Sequence, residues 1–583
     1  MTIGHASVAP LPMLVVLDED VLLDGEQTAL TRFVDRLGAL GHEAVIATLG
    51  EPRGGFPEAE YVITENGTAI VRRQTGETLA DWPNEVPATE GGAVGHLADA
   101  LLVPGSRVFV VTGPERPAGD LPGNVVVIGG EPGVEAAAWL PEADDTALIE
   151  AMDQLGLFGR PGGRHGDICQ EGLGFAIDTL RRNVTASGFT AASPADNQLL
   201  DHDANYAAVW ARDGVKTGLW TLCLGDKELT ECFAATLRTL ARHQSPSGQI
   251  PAYVRIAGDL PDYSGIGGIA SVDSVIWFVI GAVRYAFDQR DREFAEEILP
   301  AVGKSMDWLT AHDSNNDGLI EIPESSDWMD LFPRSYNVLY DEVLWYQACR
   351  DMGTFLDALG HDGSGWHANA DRVKARILEL FWPSGTQLME LAGSASGRFS
   401  TGEGRYLLSQ VTPFDYSWRC DVYANLLASL TGVLDQDKSQ RLFRYLWGVG
   451  INTPLPVKCL YPAIVSGADD WKDYFLVNFL NLPGHYHNGG IWPFIGGLWV
   501  RFLVMIGRVE LAHREMQVLA DACRAGIDGE WEFTEWLHAE TGRPMGKAHQ
   551  AWSAASYVRA YVCLHEEYEV PDFPQLDPSA LQT

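Results

Sequence analysis

The chain has 583 residues, 46% apolar and 21% charged, which is long enough for more than one domain and ordinary for a globular protein. Acidic residues outnumber basic ones 79 to 41, a formal charge of −38 that works against nucleic acid or an anionic membrane as partner and suits a neutral small molecule. Eight scattered cysteines without a CxxC spacing signal neither a zinc site nor a disulfide framework, and no apolar stretch is long enough to span a bilayer.

In chain order, residues 1–155 read as α/β. Short apolar runs (13–17, 43–48, 61–63, 69–72, 107–112, 125–128) alternate with helical stretches such as 26–40, the pattern of buried strands in a mainly parallel sheet. The first run is followed at once by Asp18, Glu19 and Asp20, so it reads as a strand rather than a signal peptide, and a cytoplasmic enzyme is the expectation. Residues 156–168, rich in Gly and Arg, read as a linker. From 169 to 570 helical periodicity takes over, with Leu229, Phe233, Leu237 and Leu240 on one face, then Val422, Leu426, Leu430 and Val433. Residues 571–583 read as a tail.

The run 14–23, with Asp18 and Asp20 after a buried strand, resembles the first motif of haloacid-dehalogenase-type phosphatases, and Thr48 resembles their second. Leu22 stands where Thr is usual, and no Gly-Asp-x-x-x-Asp magnesium motif follows. The resemblance therefore implies a haloacid-dehalogenase-like domain that is catalytically silent.

Chemistry concentrates in the helical part. Glu535 lies between Phe533 and Trp536 ahead of Gly542, and Asp273 lies upstream of Trp277 and Phe278. Two carboxylates beside aromatic rings suit cleavage of a glycosidic bond: one protonates the leaving oxygen and the other activates water. Trp210 beside Arg212 and Asp213 offers a ring and a charged fork for adjacent hydroxyls. Gln249, the loop with Asp327, Trp328 and Asp330 followed by Arg334 and Asn337, and the cluster Tyr486, His487, Asn488 and Trp492 complete the candidate sugar-binding set, together with Trp536.

On the motifs Trp210-Ala-Arg-Asp213, Val272-Asp273-Ser274, Tyr486-His-Asn-Gly-Gly-Ile-Trp-Pro493 and Thr534-Glu535-Trp536, residues from about 170 to 565 resemble an (α/α)6-barrel glycoside hydrolase of the neutral/alkaline invertase and amylo-α-1,6-glucosidase-like group. The resemblance implies inversion without metal or cofactor, Asp273 as general acid, Glu535 as general base, and Arg212 and Asp213 on the terminal glucosyl unit. Asp273 is then expected to have a raised pKa and Glu535 to stay ionised. Sucrose is the first substrate expected. Trimming of α-1,6- or α-1,4-glucan is the rival within the class, because the 327–337 loop looks more like that of a general α-glucosidase. A sugar-phosphate phosphatase with a sugar-binding barrel, and a non-catalytic glycan-binding protein, are rivals outside it. The expected partner is a small carbohydrate, and the sequence is compatible with a homo-oligomer.

Asp313, Asn315, Asp317 and Glu324 fit the spacing of an EF-hand calcium loop, with Gly318 at the sixth place. Pro323 would fall in the first turn of the exit helix, so a tight Asx-type turn is the expectation instead.

Overall fold

The computed structural model describes residues 165–197, 206–265, 268–383, 404–565 and 573–582, together with the backbone of eight strands between residues 13 and 140. The chain divides into two compact units, 1–162 with 447–450, and the remainder. The division falls inside the stretch read as a linker.

In the first unit the strands are β1 (Met13–Leu17), β2 (Ala44–Leu49), β3 (Tyr61–Thr64), β4 (Ala69–Arg72), β5 (Glu77–Asp81), β6 (Arg107–Val111), β7 (Val125–Ile128) and β8 (Ala138–Leu140). They form one sheet in the order β5-β4-β3-β2-β1-β6-β7-β8. β3–β4 and β4–β5 pair antiparallel and the other neighbours pair parallel. Parallel neighbours require crossovers, which matches the spacing of the apolar runs. The loop with Asp18 and Asp20, and the haloacid-dehalogenase reading built on it, lie outside the described residues.

The second unit holds twelve α-helices among the described residues: α1 (His165–Arg182), α2 (Ala211–Thr221), α3 (Lys227–Arg242), α4 (Val272–Gln289), α5 (Arg292–Thr310), α6 (Leu339–Ala358), α7 (Ser364–Leu380), α8 (Val422–Leu430), α9 (Gln436–Gly448), α10 (Pro493–Met505), α11 (Val509–Arg524) and α12 (Ala551–His565). The even-numbered helices close a ring: α2 packs on α4, α4 on α6, α6 on α8, α8 on α10, α10 on α12, and α12 back on α2. Odd-numbered helices lie outside it, α3 against α2, α5 against α4, α7 against α6 and α11 against α10. This is an (α/α)6 barrel. The sequence explains the alternation: α4 and α10 are buried nearly all round, whereas α3 buries one face, the Leu229, Phe233, Leu237 and Leu240 stripe with Cys232, Ala234, Thr236 and Thr239 beside it. A β-carbon on Gly497 of α10 would come within 2.6 Å of the Ser556 carbonyl of α12, so glycine there lets two inner helices touch.

Residues 571–583 are not a loose tail where described. Phe573 and Leu581 are buried, and Arg284 and Arg292 donate hydrogen bonds to the carbonyls of Pro574 (3.3 Å) and Leu581 (2.9 Å). No described helix is long and apolar enough to cross a membrane.

Candidate active site

Each inner helix is entered through a short strand or loop, and these entries carry most of the residues singled out by sequence. Trp210 is the residue before α2, Ser271 before α4, Trp492 before α10 and Gln550 before α12. The helix N-termini present unpaired N–H groups and positive dipole ends, a setting that tolerates clustered carboxylates.

A cleft gathers Tyr206, Trp210, Arg212, Asp213, Trp328, Asp330, Tyr486, His487, Trp492, Glu535, Gln550 and Trp552. Three carboxyls meet here. Burial pushes Asp330 up to about 6, and the nearby Arg212 charge offsets only part of that. Burial pushes Glu535 up to about 7, against the opposing hydrogen bond from the Lys547 N–H at 3.3 Å. Asp213 is likewise raised by burial to about 6. The Tyr486 hydroxyl donates to Asp330 at 3.3 Å and the Tyr206 hydroxyl donates to Glu535 at 3.3 Å. Tyr486 and Trp492 line the cleft together with these acids, and Trp328 meets Trp492 edge-on at 5.5 Å.

Gly546 fixes the position of Glu535. It has φ +77°, and a β-carbon there would lie 2.5 Å from Glu535 Oε2, so only glycine leaves the carboxylate room.

The structure gives Asp273 a setting that does not suit a general acid. The side chain is fully buried and is absent from the cleft lining. Its two oxygens take a parallel pair of hydrogen bonds from Arg212, Nε to Oδ2 at 2.6 Å and Nη2 to Oδ1 at 2.9 Å. The hydroxyls of Ser271 (3.0 Å) and Tyr340 (3.1 Å) also donate to it. Burial alone would raise its pKa, but the Arg212 guanidinium outweighs burial and holds the carboxyl below the usual range. The expected raised pKa is therefore corrected: an ionised carboxylate with four donors has no proton to give. The expectation that Glu535 stays ionised is corrected too, since burial brings its titration to neutral pH.

Several other candidates do structural work. Asp327 and Arg334 are buried side by side, Nε to Oδ2 at 2.7 Å though poorly aligned for a hydrogen bond, and Arg334 also pairs with Asp421. Asp327 further accepts the Met329 N–H at 2.7 Å, so it shapes the loop that presents Asp330 rather than facing the cleft. Asn337 bridges the Ile320 carbonyl and Glu342, both at 3.2 Å. Asn488 ties down Ile464 and Asn481. Gln249 reaches the Tyr263 carbonyl at 3.1 Å. Trp536 is buried against His485 and Tyr486 outside the lining of the cleft.

Asp313 forms the expected turn, accepting the N–H groups of Asp317 and Gly318 at 3.0 Å each. Asp313, Asp317 and Glu321 bring carboxylate oxygens within 4.8 Å of one another, but both Glu321 oxygens already accept from Ser314 or Asn315. Glu324, the expected twelfth ligand, instead accepts the Tyr474 hydroxyl at 2.7 Å.

Four contributors escaped the sequence reading. Tyr206, Gln550 and Trp552 line the cleft, with Gln550 donating to Asp213 at 3.3 Å. Lys216 is wholly buried one turn after Asp213. Its Nζ has no hydrogen-bond partner and lies 4.7–4.9 Å from the ring centres of Trp552, Tyr423 and Phe494. Burial pushes this amine well below the usual lysine range. Only the i, i+3 spacing of Asp213 and Lys216 on one helix hinted at their proximity.

A family model described as alkaline and neutral invertase matches residues 395–566. Cytosolic invertase 1 of Oryza sativa subsp. japonica is 24% identical over 459 residues, 68% of this chain and 78% of that protein. Alkaline/neutral invertase C, mitochondrial, of Arabidopsis thaliana is 23% identical over 448 residues, 66% of this chain and 64% of that protein. Among solved structures, Hormoconis resinae glucoamylase is similar with a TM-score of 0.48 at 14% identity, over 70% of this chain and 74% of that one. The GH63 mannosylglycerate hydrolase from Thermus thermophilus is similar with a TM-score of 0.46 at 17% identity, over 66% and 99%. On the family match and these relatives, the chain is a glycoside hydrolase.

Proposed function

We propose that the barrel is an inverting, exo-acting hydrolase of an α-glucosyl bond in a small soluble sugar, sucrose foremost, acting in the cytoplasm with Asp330 as general acid and Glu535 as general base. The observation that carries the reading is the pair of cleft carboxyls raised by burial to about 6 and about 7, so that near neutral pH they hold about one proton between them. Inversion needs that state, one carboxyl protonated and one ionised, on opposite sides of the reacting carbon.

Two hydrogen-bond donors serve Glu535, the Lys547 N–H and the Tyr206 hydroxyl, and one serves Asp330, the Tyr486 hydroxyl. In the empty cleft the higher value, about 7, belongs to Glu535; the roles follow the resemblance, which puts the base at Glu535, and require the shared proton to pass to Asp330 when substrate is bound. In the step itself, Asp330 gives its proton to the glycosidic oxygen as the C1–O bond breaks. Glu535 takes a proton from the water that bonds to C1 from the other face. The carboxyls finish with their protons exchanged and reset through solvent. Asp213, with Gln550, is placed for the glycone hydroxyls, and Trp210, Trp328, Trp492 and Trp552 supply ring faces and edges for the apolar side of the sugar.

The test is a hydrolysis screen over sucrose, trehalose, isomaltose, maltose and glycogen, with the anomer released followed by NMR. Release of β-glucose first, abolished in both Asp330→Asn and Glu535→Gln, is the expected result. Release of α-glucose first, or undiminished turnover in either variant, overturns it.

A further inference from the structure

The segment that leads into the Tyr486–Pro493 loop touches the loop carrying Asp330 at three points. The Tyr474 hydroxyl donates to Glu324 at 2.7 Å, and Phe475 stacks on Phe332 with ring centres 5.4 Å apart. Asn481 donates from Nδ2 to the carbonyls of Asp330 (3.1 Å) and Leu331 (3.2 Å). The other end of the same amide, Oδ1, accepts the His487 N–H at 3.2 Å. Asn481 is fully buried. One side chain therefore joins the backbone at Asp330 to the backbone of the loop that faces it.

That loop sets what the acid meets. The Tyr486 hydroxyl donates to Asp330 Oδ2 at 3.3 Å, and His487 Nε2 lies 3.8 Å from the same oxygen. Among the described residues no donor reaches Oδ1. With Oδ2 occupied, the acid proton belongs on Oδ1, the oxygen left for the substrate. Proton delivery to one glycosidic oxygen needs that orientation held.

The backbone shows why a clamp is needed. Leu331 and Tyr486 have φ of +51° and +39°, the left-handed region that non-glycine residues adopt only at a cost. Leu331 directly follows Asp330, and Tyr486 carries the hydroxyl that serves it. Untied, either residue relaxes to negative φ and turns the carboxyl or the hydroxyl away. The two carbonyls that Asn481 satisfies would also be left unpaired, which drives the loop in the same direction.

We propose that Asn481 is a positioning residue for the general acid: its amide holds the Asp330 and Tyr486 loops in register, so that the carboxyl presents Oδ1 to the leaving group. This rests on the reading of Asp330 as the acid and adds a residue that none of the sequence motifs nominated.

The experiment compares Asn481→Ala with wild type on the sugar cleaved fastest and on α-glucosyl fluoride, whose leaving group needs no proton. For the sugar, kcat should fall by about 10- to 100-fold, the scale of a misplaced catalytic group, with KM within about threefold. Fluoride hydrolysis should stay within about threefold, whereas a residue needed only for folding would lower both substrates alike. Adding Leu331→Gly to Asn481→Ala should recover the sugar kcat by about three- to tenfold, because glycine adopts this φ without strain and the Leu331 side chain is only half-buried. Tyr474→Phe, which cuts the same segment's contact with Glu324, should leave both substrates within about twofold. If Asn481→Ala fails to fold by far-UV circular dichroism, Asn481→Ser, which keeps one donor, is held to the same criteria with a sugar loss of at least about threefold. An unchanged sugar kcat, an equal loss on both substrates, no recovery with Leu331→Gly, or an equal loss in Tyr474→Phe overturns the proposal. In those cases Asp330→Asn would still lose the sugar and spare the fluoride, so the acid would stand without its clamp. If Asp330→Asn itself spares both or loses both, the acid assignment falls and this inference falls with it.

Discussion

The sharpest perturbation is to exchange the two aspartates one at a time for asparagine, because they make opposite predictions for stability and chemistry. Asp273→Asn removes the charge that compensates Arg212, leaving a guanidinium that is 6% exposed facing a neutral amide that cannot accept at both nitrogens. Breaking a buried pair on one side costs about 3–5 kcal/mol. Because the folded pKa of Asp273 is lowered, that stabilisation is present above the unfolded value near 3.8 and is lost as pH falls through the folded one. The urea unfolding free energy of Asp273→Asn should therefore trail wild type by about 3–5 kcal/mol from pH 5 to 8 and converge below pH 4. Its activity should fall on every substrate alike, α-glucosyl fluoride included, since Arg212 loses its anchor. Asp330→Asn should lose about 10²- to 10⁴-fold in kcat on sugars with poor leaving groups, the usual yield of a general acid. It should keep most activity on α-glucosyl fluoride, whose leaving group needs no proton. If Asp273→Asn is as stable as wild type to within about 1 kcal/mol and shows the fluoride-sparing pattern, Asp273 is the acid and Asp330 is not.

Asp330 carries a raised folded pKa, so its ionised form destabilises the empty enzyme above about 6 and the penalty is relieved as pH falls towards 3.8. Asp330→Asn should thus be more stable than wild type by on the order of 3 kcal/mol at pH 8 and about equal at pH 4, read by urea titration at both. With the cleft carboxyls at about 6 and about 7, kcat/KM should follow a narrow bell centred between them, and a plateau broader than about two pH units would contradict a shared proton. Gly546→Ala should lower kcat at least tenfold with little change in KM, because the methyl drives into Glu535; unaltered kcat would show that the carboxylate is free to move. Excess chelator should leave thermal unfolding unchanged, since Asp313 and Glu321 are satisfied by donors of their own turn. A drop in midpoint restored by calcium would make the turn an ion site.

The barrel was readable because burial leaves a period. Inner helices such as α4 are mostly apolar and buried nearly all round and outer ones such as α3 carry a stripe, and both signals are local. Nine of the residues that the aromatic and acidic motifs nominated line the cleft. What a linear reading cannot supply is which of several acids keeps its proton. Asp273, Asp327 and Asp330 look alike in sequence; one lies on Arg212, one on Arg334, and only the third is left with a lone tyrosine hydroxyl. That difference is made by guanidiniums 61 and 7 positions away in opposite directions, one of them on another helix. Lys216 and Gln550 were missed for the same reason, since a lysine in an apolar helix reads as a solvated edge until five rings are seen around it.

The arginines also explain how three raised carboxyls are kept together in one cleft. In a chain of net charge −38, an uncompensated acid cluster would be protonated outright or expelled to solvent. Arg212 is the hinge of the arrangement: bound in parallel to Asp273 behind the cleft, it also lines the cleft beside Asp213 and Asp330. Its field lowers both of those acids against the upward push of burial, bringing them to about 6. Glu535, whose raised value owes nothing to a guanidinium, comes to rest higher, at about 7. Asp273 is thus a positioning residue: it holds Arg212 where that charge balances the cleft acids. Losing it removes a negative charge that raises Asp330 and Asp213 and leaves Arg212 uncompensated beside them, so the acid limb of the rate profile should move downward, a shift that a purely structural ion pair, remote from the cleft acids, would not produce.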